Sequence, residues 1–325
     1  MVAAQEILTI SPQKPYRVGF LVVPKFSLIA LSCVMEPLRE ANWVSGKTLY
    51  EWVLLTPHGP QVCSSNGTCL MVENDLAAAE DCDMVIVCAS FDLEQHSTRE
   101  ILATLRKLVR HGAIVGSIDT GSYILARAGL LDGRRATIHW ENATGFSEQF
   151  PKVNLTSDIF TIDDHCWTCS GGSSGIDMML HLIRQQHGAE IATGVAECAI
   201  LSGIRQSGAG QRLSLRDRLN KSDPSLIAAI GVMEAHNAER LTVPEIARAS
   251  GVSQRQLERV FQIHMGVTPN AYYVGLRLNR ARKLLRQTSL QVKTIAVFCG
   301  FSSQAQFARA YKKAFNVSPS QDRSG

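Results

Sequence analysis

An acid stands where a strand breaks into a helix. In GSIDTGSYILARAGLL (116–131) an apolar run ends at Asp119, turns through Thr120 and Gly121, and enters an apolar helical stretch. Turns of this kind lift the crest side chain to the top of a parallel sheet, beside the partly positive N-terminus of the next helix. A Ser or Cys at the crest would be a nucleophile. An Asp followed by Thr has no neighbouring base, so its chemistry is recognition: a carboxylate kept ionised by the helix N-terminus and paired with a cation. Tyr123 and Trp140, aromatic residues of nearby elements, would add a wall suited to an ammonium or methylated ammonium group. The plainer alternative is that Asp119 caps the helix that follows it.

A second set of chemically capable residues is duplicated. LTVPEIARASGVSQRQLERVFQIHMGVTP (241–269) lines up with LQVKTIAVFCGFSSQAQFARAYKKAFNVSP (290–319), with Ile246/Ile295, Ala247/Ala296 and Gly251/Gly300 each 49 apart and Leu257/Phe307, Phe261/Tyr311 and Pro269/Pro319 each 50 apart. Each copy has a short helix, a Gly that tolerates positive φ, a capping Ser and an amphipathic second helix, which is the grammar of a helix-turn-helix. Ser253, Gln254, Arg255, Gln256 and Arg259 in the first copy, and Ser303, Gln304, Gln306 and Arg309 in the second, fall on exposed early positions. Arg can read guanine and Gln adenine in the major groove. Leu257, Val260, Phe261, Phe307 and Tyr311 are expected inside. Arg277, Arg280, Lys312 and Lys313 suit phosphate contacts or a solvated helix face.

These residues need elements to position them. YRVGFLVV (16–23), DMVIVCAS (83–90) and AIVGSID (113–119) are near-continuously apolar, as strands buried on both faces of a parallel sheet are. Helical periodicity lies between them at 28–42 and at 98–112, the latter starting after Thr98 and stopping at Gly112. The rhythm predicts a doubly wound, mostly parallel α/β domain over 16–205, preceded by a tail (1–15). SGAGQRLSLRDRLNKSD (207–223) reads as linker, so the expected linker spans 206–223, and everything from Pro224 reads as helical. The all-α domain is therefore 224–325, with two helix-turn-helix units.

Charge follows this division. The 325-residue chain carries a net +4, but residues 223–325 hold 14 Lys+Arg against 6 Asp+Glu, leaving the remainder with 19 against 23. A basic third on an acidic body points to a polyanion partner for that third alone. No apolar run approaches the roughly 18 residues of a membrane span, and MVAAQEILTISPQK has no basic segment leading into an apolar one. A cytoplasmic protein without membrane contact is expected. Nine cysteines, an odd number, fit reduced thiols. Cys166 and Cys169 form a CxxC without a second pair at zinc spacing, so no metal and no cofactor is expected.

Residues 224–320 resemble the DNA-binding domain of AraC-type transcription regulators. The resemblance implies two helix-turn-helix units joined by a long helix, here about 270–286, with the second helix of each unit in successive major-groove segments of double-stranded DNA about 10 base pairs apart.

Residues 16–205 resemble the PfpI-like, class I glutamine amidotransferase-like domain, which precedes an AraC-type module in GlxA-type regulators. The matching stretches are Met35 to Arg39 (MEPLR), Asp119 to Ser122 with ARAGLLDGRRAT after it, His139-Trp140, and SGGSSGIDMMLHLI (170–183). Hydrolytic relatives of this domain carry a Cys at the crest, a His after it and a Glu from the first helix. Here Glu36 is present, but the crest is Asp119 and the next residue Thr120, which implies a pocket without the nucleophile that such chemistry needs.

The ligand set expected from the resemblance and the turn is Asp119, Glu36, Thr120, Tyr123, His139, Trp140 and Cys169. Each has an ordinary alternative: Glu36 paired with Arg39, His139 satisfied at a strand end, Trp140 in the core, Asp177 orienting its helix, Cys169 a buried thiol. Members of the GlxA-type family sense small nitrogenous metabolites such as arginine, carnitine or glycine betaine. The resemblance implies an activator of transcription, a homodimer through the N-terminal domain, answering to an amine or amino-acid derivative, with RNA polymerase as a further partner. The other readings are a hydrolase or amidase fused to a DNA-binding module, and a ligand-blind dimeric DNA-binding protein.

Overall fold

The structure is a computed structural model that describes residues 14–220, 223–288 and 290–324. Residues 1–13 of the expected tail lie outside the described residues. The chain divides into two compact units, residues 1–211 and 212–325.

The first unit alternates strands and helices: β1 (Tyr16–Val22), α1 (Leu28–Ser45), β2 (Tyr50–Leu55), a hairpin of β3 (Gln61–Cys63) and β4 (Cys69–Met71), β5 (Met84–Ala89), α2 (Leu93–His96), α3 (Arg99–Arg110), β6 (Ile114–Asp119) and α4 (Ser122–Arg127). It continues with β7 (Arg135–Ala136), α5 (Ala143–Gln149), β8 (Asn154–Leu155), β9 (Phe160–Asp163), β10 (Cys166–Cys169), α6 (Ser174–His187) and α7 (Ala189–Cys198). Among the described residues one six-stranded sheet runs β2-β1-β5-β6-β10-β9, parallel throughout except for the β10–β9 pair. Alternate residues of each strand serve opposite faces. Val18, Phe20 and Val22, with Met84, Ile86 and Cys88, join a core under α1, α6 and α7. Leu21, Val85, Val87 and Ala89 join the core under α3 and α4. Burial on both faces is why these strands read as unbroken apolar runs.

The reduced-thiol expectation is corrected at one pair. Cys63 stands opposite Cys69 in the β3–β4 register, with Cα atoms 3.9 Å apart, and the two form a disulfide. Three-residue strands carry no alternation that sequence periodicity could detect. Within the span expected as linker, the Ser207 carbonyl accepts a hydrogen bond from the Ile159 amide, and Gln211 donates to Thr137 Oγ1 and to the Ile138 and Asp158 carbonyls. Residues Leu215–Leu219 form α8, whose two leucines pack on the core of the second unit.

The second unit is helical as expected: α9 (Pro224–Ala235), α10 (Val243–Ala249), α11 (Gln254–Met265), α12 (Pro269–Gln287), α13 (Val292–Phe298), α14 (Gln304–Phe315) and α15 (Pro319–Ser324). Two cores form, one around Leu257, Val260 and Phe261 and one around Phe307 and Tyr311. The turn glycines Gly251 and Gly300 have φ of 72° and 70°, and Ser253 and Ser303 cap α11 and α14. Both features follow from the duplicated pattern, because L side chains avoid that φ and Ser satisfies the first free amides of a helix.

Candidate functional site: the crest acid and the paired recognition helices

Asp119 is the last residue of β6 and lies directly across from Ala89 of β5. Its φ is 60°, in the left-handed region that Asp visits more readily than most side chains but at a cost. Surrounding contacts impose that conformation. The Asp119 carbonyl accepts from the His139 amide at 3.1 Å, and the Thr120 amide donates to Ala89 at 3.1 Å. A Cβ on Gly171 would sit 2.8 Å from both Cα and Cβ of Asp119, and one on Gly121 would sit 2.5 Å from the Val87 carbonyl oxygen. Only glycines let these backbones approach so closely.

Among the described residues one hydroxyl donates to the acid, which is partly buried. Ser90, the residue just past β5, donates its hydroxyl to Oδ2 of Asp119. Burial raises the Asp119 pKa above the ordinary carboxylate value; the Ser90 hydrogen bond and the nearby His139 pull it down, and Glu141 pushes it up. Desolvation penalises the charged form, so a cation brought to Oδ1 or Oδ2 would restore what burial removes. Asp119 makes no cap to α4, whose N-terminus has no side-chain cap hydrogen bond.

The other expected ligand residues divide. His139 is half-buried beside the crest, and its ring lies 5.7 Å from that of Trp140, which is 37% exposed. Thr120 is buried, and its hydroxyl is within hydrogen-bonding distance of the Ala89 and Ser90 carbonyls, so it joins the ends of β5 and β6 rather than presenting a group to a ligand. Tyr123 lies in the core under α4, edge-on to Phe150 at 5.2 Å with its hydroxyl 3.2 Å from Gln149. That places Tyr123 away from the aromatic wall expected of it. Glu36 is exposed on α1 and paired with Arg39 at 2.6 Å.

Cys169 is fully buried, 3.1 Å from Ser174 Oγ, with its pKa pushed up to about 11 by burial. Ser174 donates to the Gly171 carbonyl at 2.6 Å, so Cys169 and Ser170 both donate to Ser174, a knot that fixes the loop carrying Gly171. Asp177 holds the Arg205 amide and guanidinium at 2.6–2.9 Å.

Sequence reading missed Ser90, Gly171 and Glu141. Ser90 had a usable signal: it ends the apolar run DMVIVCAS, and ligands of such sheets gather at the carboxyl ends of neighbouring strands.

On the second unit, Ser253, Gln254, Arg255, Gln256, Arg259, Ser303, Gln304, Gln306 and Arg309 are all exposed. Gln254 donates to Glu258 at 2.8 Å, and the side-chain oxygen of Gln306 accepts from Ser302 at 2.6 Å. Glu258, an exposed acid on α11 that sequence reading passed over, can accept from the cytosine amino group. Arg277, expected at phosphate or on a solvated helix face, is buried instead and donates to backbone carbonyls at 2.8 and 2.9 Å. A Pro-initiated helix with an Arg two turns in gave no sign of which face that Arg occupies.

Comparison with known proteins agrees with both halves. Residues 16–185 match the DJ-1/PfpI family and residues 246–325 a helix-turn-helix domain. The transcriptional regulator CdhR of Pseudomonas aeruginosa is 43% identical over 304 residues, covering 94% of this chain and 90% of CdhR. GbdR of the same species is 40% identical over 315 residues (96% and 85%), and GlxA of Rhizobium meliloti 38% over 304 residues (93% and 94%). An AraC family regulator from Pseudomonas putida superposes with a TM-score of 0.52 at 29% identity, over 57% of this chain and all of that one. Drosophila melanogaster DJ-1beta shares the fold, with a TM-score of 0.51 at 15% identity over 58% of this chain and all of that one. The crest acid and the paired recognition helices thus sit in a chain that belongs to the GlxA-type transcriptional regulators, a DJ-1/PfpI domain followed by an AraC-type DNA-binding domain.

Proposed function

We propose that the first unit is a metabolite sensor and that Asp119 receives the cationic group of a small nitrogenous effector. The effector is an amine or amino-acid derivative, such as a methylated ammonium compound or arginine. One observation carries this reading: a partly buried carboxylate at a strained crest, whose charged form desolvation disfavours and a cation would stabilise. His139 lies beside it, in ring contact with Trp140, and Glu141 adds negative charge. The site works by binding and not by turnover, because the crest holds a carboxylate engaged by Ser90 and the buried Cys169 thiol has its pKa raised.

In the second unit Arg255, Arg259 and Arg309, with Gln254, Gln256, Gln304 and Gln306, read base edges, and Ser253 and Ser303 add hydroxyls at the helix starts. The protein acts in the cytoplasm as a homodimer and activates transcription. Exposed Trp43 on α1 and Ile200 beyond α7 support pairing through the first unit. Occupancy at Asp119 must favour one arrangement of the dimer over another for the DNA-binding halves to respond.

The test is DNA binding by the full-length protein with and without glycine betaine, carnitine or arginine. Asp119→Asn is expected to abolish the effector response and keep basal DNA binding. A response that persists in the variant would contradict the assignment.

A further inference from the structure

Helix α12 sends two side chains, one turn apart, to different halves of the second unit. The Tyr273 hydroxyl lies 2.5 Å from the His236 carbonyl oxygen and 2.9 Å from that of Glu239, in the loop between α9 and α10. Arg277 donates from Nε to Cys299 O at 2.8 Å and from Nη2 to Gly300 O at 2.9 Å, in the turn between α13 and α14. Its guanidinium lies 4.4 Å from the Phe301 ring centre and 5.6 Å from that of Tyr273. The two halves also touch: a Cβ on Gly300 would stand 2.8 Å from the Glu239 carbonyl oxygen, closer than any side chain permits.

Arg277 is 6% exposed, and among the described residues its guanidinium meets carbonyls and rings, not a carboxylate. A buried cation is a costly way to stabilise a core, and an apolar side chain of similar volume often does as well or better. What the planar fork adds is geometry, since its two bonds fix the distance and angle of what they join. Here they join the turn leading into α14 to the same helix that Tyr273 joins to the half containing α11.

We propose that Arg277 is a positioning residue for DNA recognition. Together with Tyr273 it locks the two helix-turn-helix units to α12, so that the separation of α11 and α14 is fixed and the spacing of the two DNA segments they read is discriminated. The proposal rests on the reading of α11 and α14 as the base-reading pair.

The experiment uses full-length protein and a DNA that it selects from a random pool, with versions carrying one base pair inserted or deleted between the two protected segments. The wild type is expected to lose affinity about tenfold or more on either change of spacing, as it would for a mismatch in its site. Arg277→Met is expected to bind the unaltered DNA more weakly, yet to lose less than about threefold when the spacing changes. Arg277→Lys, which keeps charge but not the fork, should fall between them. A wild-type ratio between spacings in Arg277→Met, whatever its absolute affinity, would overturn the proposal. If Arg277→Met does not fold by circular dichroism, Tyr273→Phe decides in the same way: a relaxed ratio supports the lock and an unchanged ratio overturns it. Protection of a single segment would overturn the paired reading itself, and the proposal with it.

Discussion

Ser90 donates its hydroxyl to the Asp119 carboxylate across the carboxyl ends of adjacent strands β5 and β6. The bond favours the ionised acid, while burial, the larger influence, raises its pKa. A carboxyl whose pKa is higher folded than unfolded binds its proton more tightly in the native state. The resulting stabilisation is complete below the ordinary Asp range and is lost as pH rises through the raised folded value. Asp119→Asn keeps an acceptor for Ser90 and a side chain that tolerates φ of 60°, without the charge. At neutral pH the variant should melt higher by about 2–4 °C. The advantage should vanish in acid, as followed by calorimetry between about pH 3 and pH 8; parallel profiles for the two proteins would contradict the desolvation of Asp119.

The crest depends on Gly171, at φ 87°, whose missing Cβ makes room for Asp119. Gly171→Ala should cost about 2–4 kcal/mol and abolish the effector response without removing any ligand-binding group. Gly129→Ala is the matched control, at φ 73° with nothing within 4 Å of its would-be Cβ, and should cost only about 1–2 kcal/mol of backbone strain. Denaturant melts of both variants measure the difference. Equal losses would mean that the approach of residues 171 and 119 contributes nothing to the crest.

The strands that carry Asp119 were legible because both faces of the sheet are buried, which leaves an apolar run that periodicity detects. The duplicated turn glycines and capping serines were legible for a local reason: each acts within its own turn. What stayed hidden depends on contacts across long stretches of chain. Ser90 is 29 residues from Asp119 and reaches it only through the β5–β6 register. Gly171 comes from the loop after β10, whose place beside β6 no local pattern announces. Tyr123 was misplaced because a six-residue helix is too short for its buried face to be phased from sequence, and its ring turned to Phe150.

At the equivalent joint of each repeat, the two DNA-binding units use different chemistry. In the first, the rings of Phe261 and Tyr272 meet at 5.4 Å; in the second, Tyr311 donates to Asp322 at 2.5 Å. Arg282 and Arg286 also donate to Asp322, at 2.8 and 2.7 Å, and these donors hold its carboxyl well below the ordinary range. A depressed carboxylate stabilises the fold above the ordinary Asp range, and that contribution is lost as pH falls through the folded value. Asp322→Ala should cost about 2 kcal/mol at neutral pH, with hydrogen exchange rising first in α14 and α15. Uniform exchange across both repeats would contradict a joint confined to the second.

Arg259 on α11 and Arg309 on α14 are exposed at equivalent positions of the two repeats, 50 residues apart. Each changed to Ala should lose about 1–3 kcal/mol of specific binding and relax the preference at one base. Lys312→Ala should instead weaken all sequences alike and lower the salt slope of binding by about one. Titration against matched and mismatched DNA at several salt concentrations separates these roles, and a salt-insensitive interaction would contradict the electrostatic part of the account.

The most direct test of the central claim is a thermal-shift measurement on full-length protein against small amines, amino acids and methylated ammonium compounds, with Asp119→Asn alongside. A cationic ligand present at about 100 times its Kd adds about 2.7 kcal/mol of stability. The account predicts at least one compound that raises the melting temperature of the wild type and leaves that of Asp119→Asn unchanged. The same shift in both proteins, or no shift with any compound, would contradict Asp119 as the group that recognises the effector.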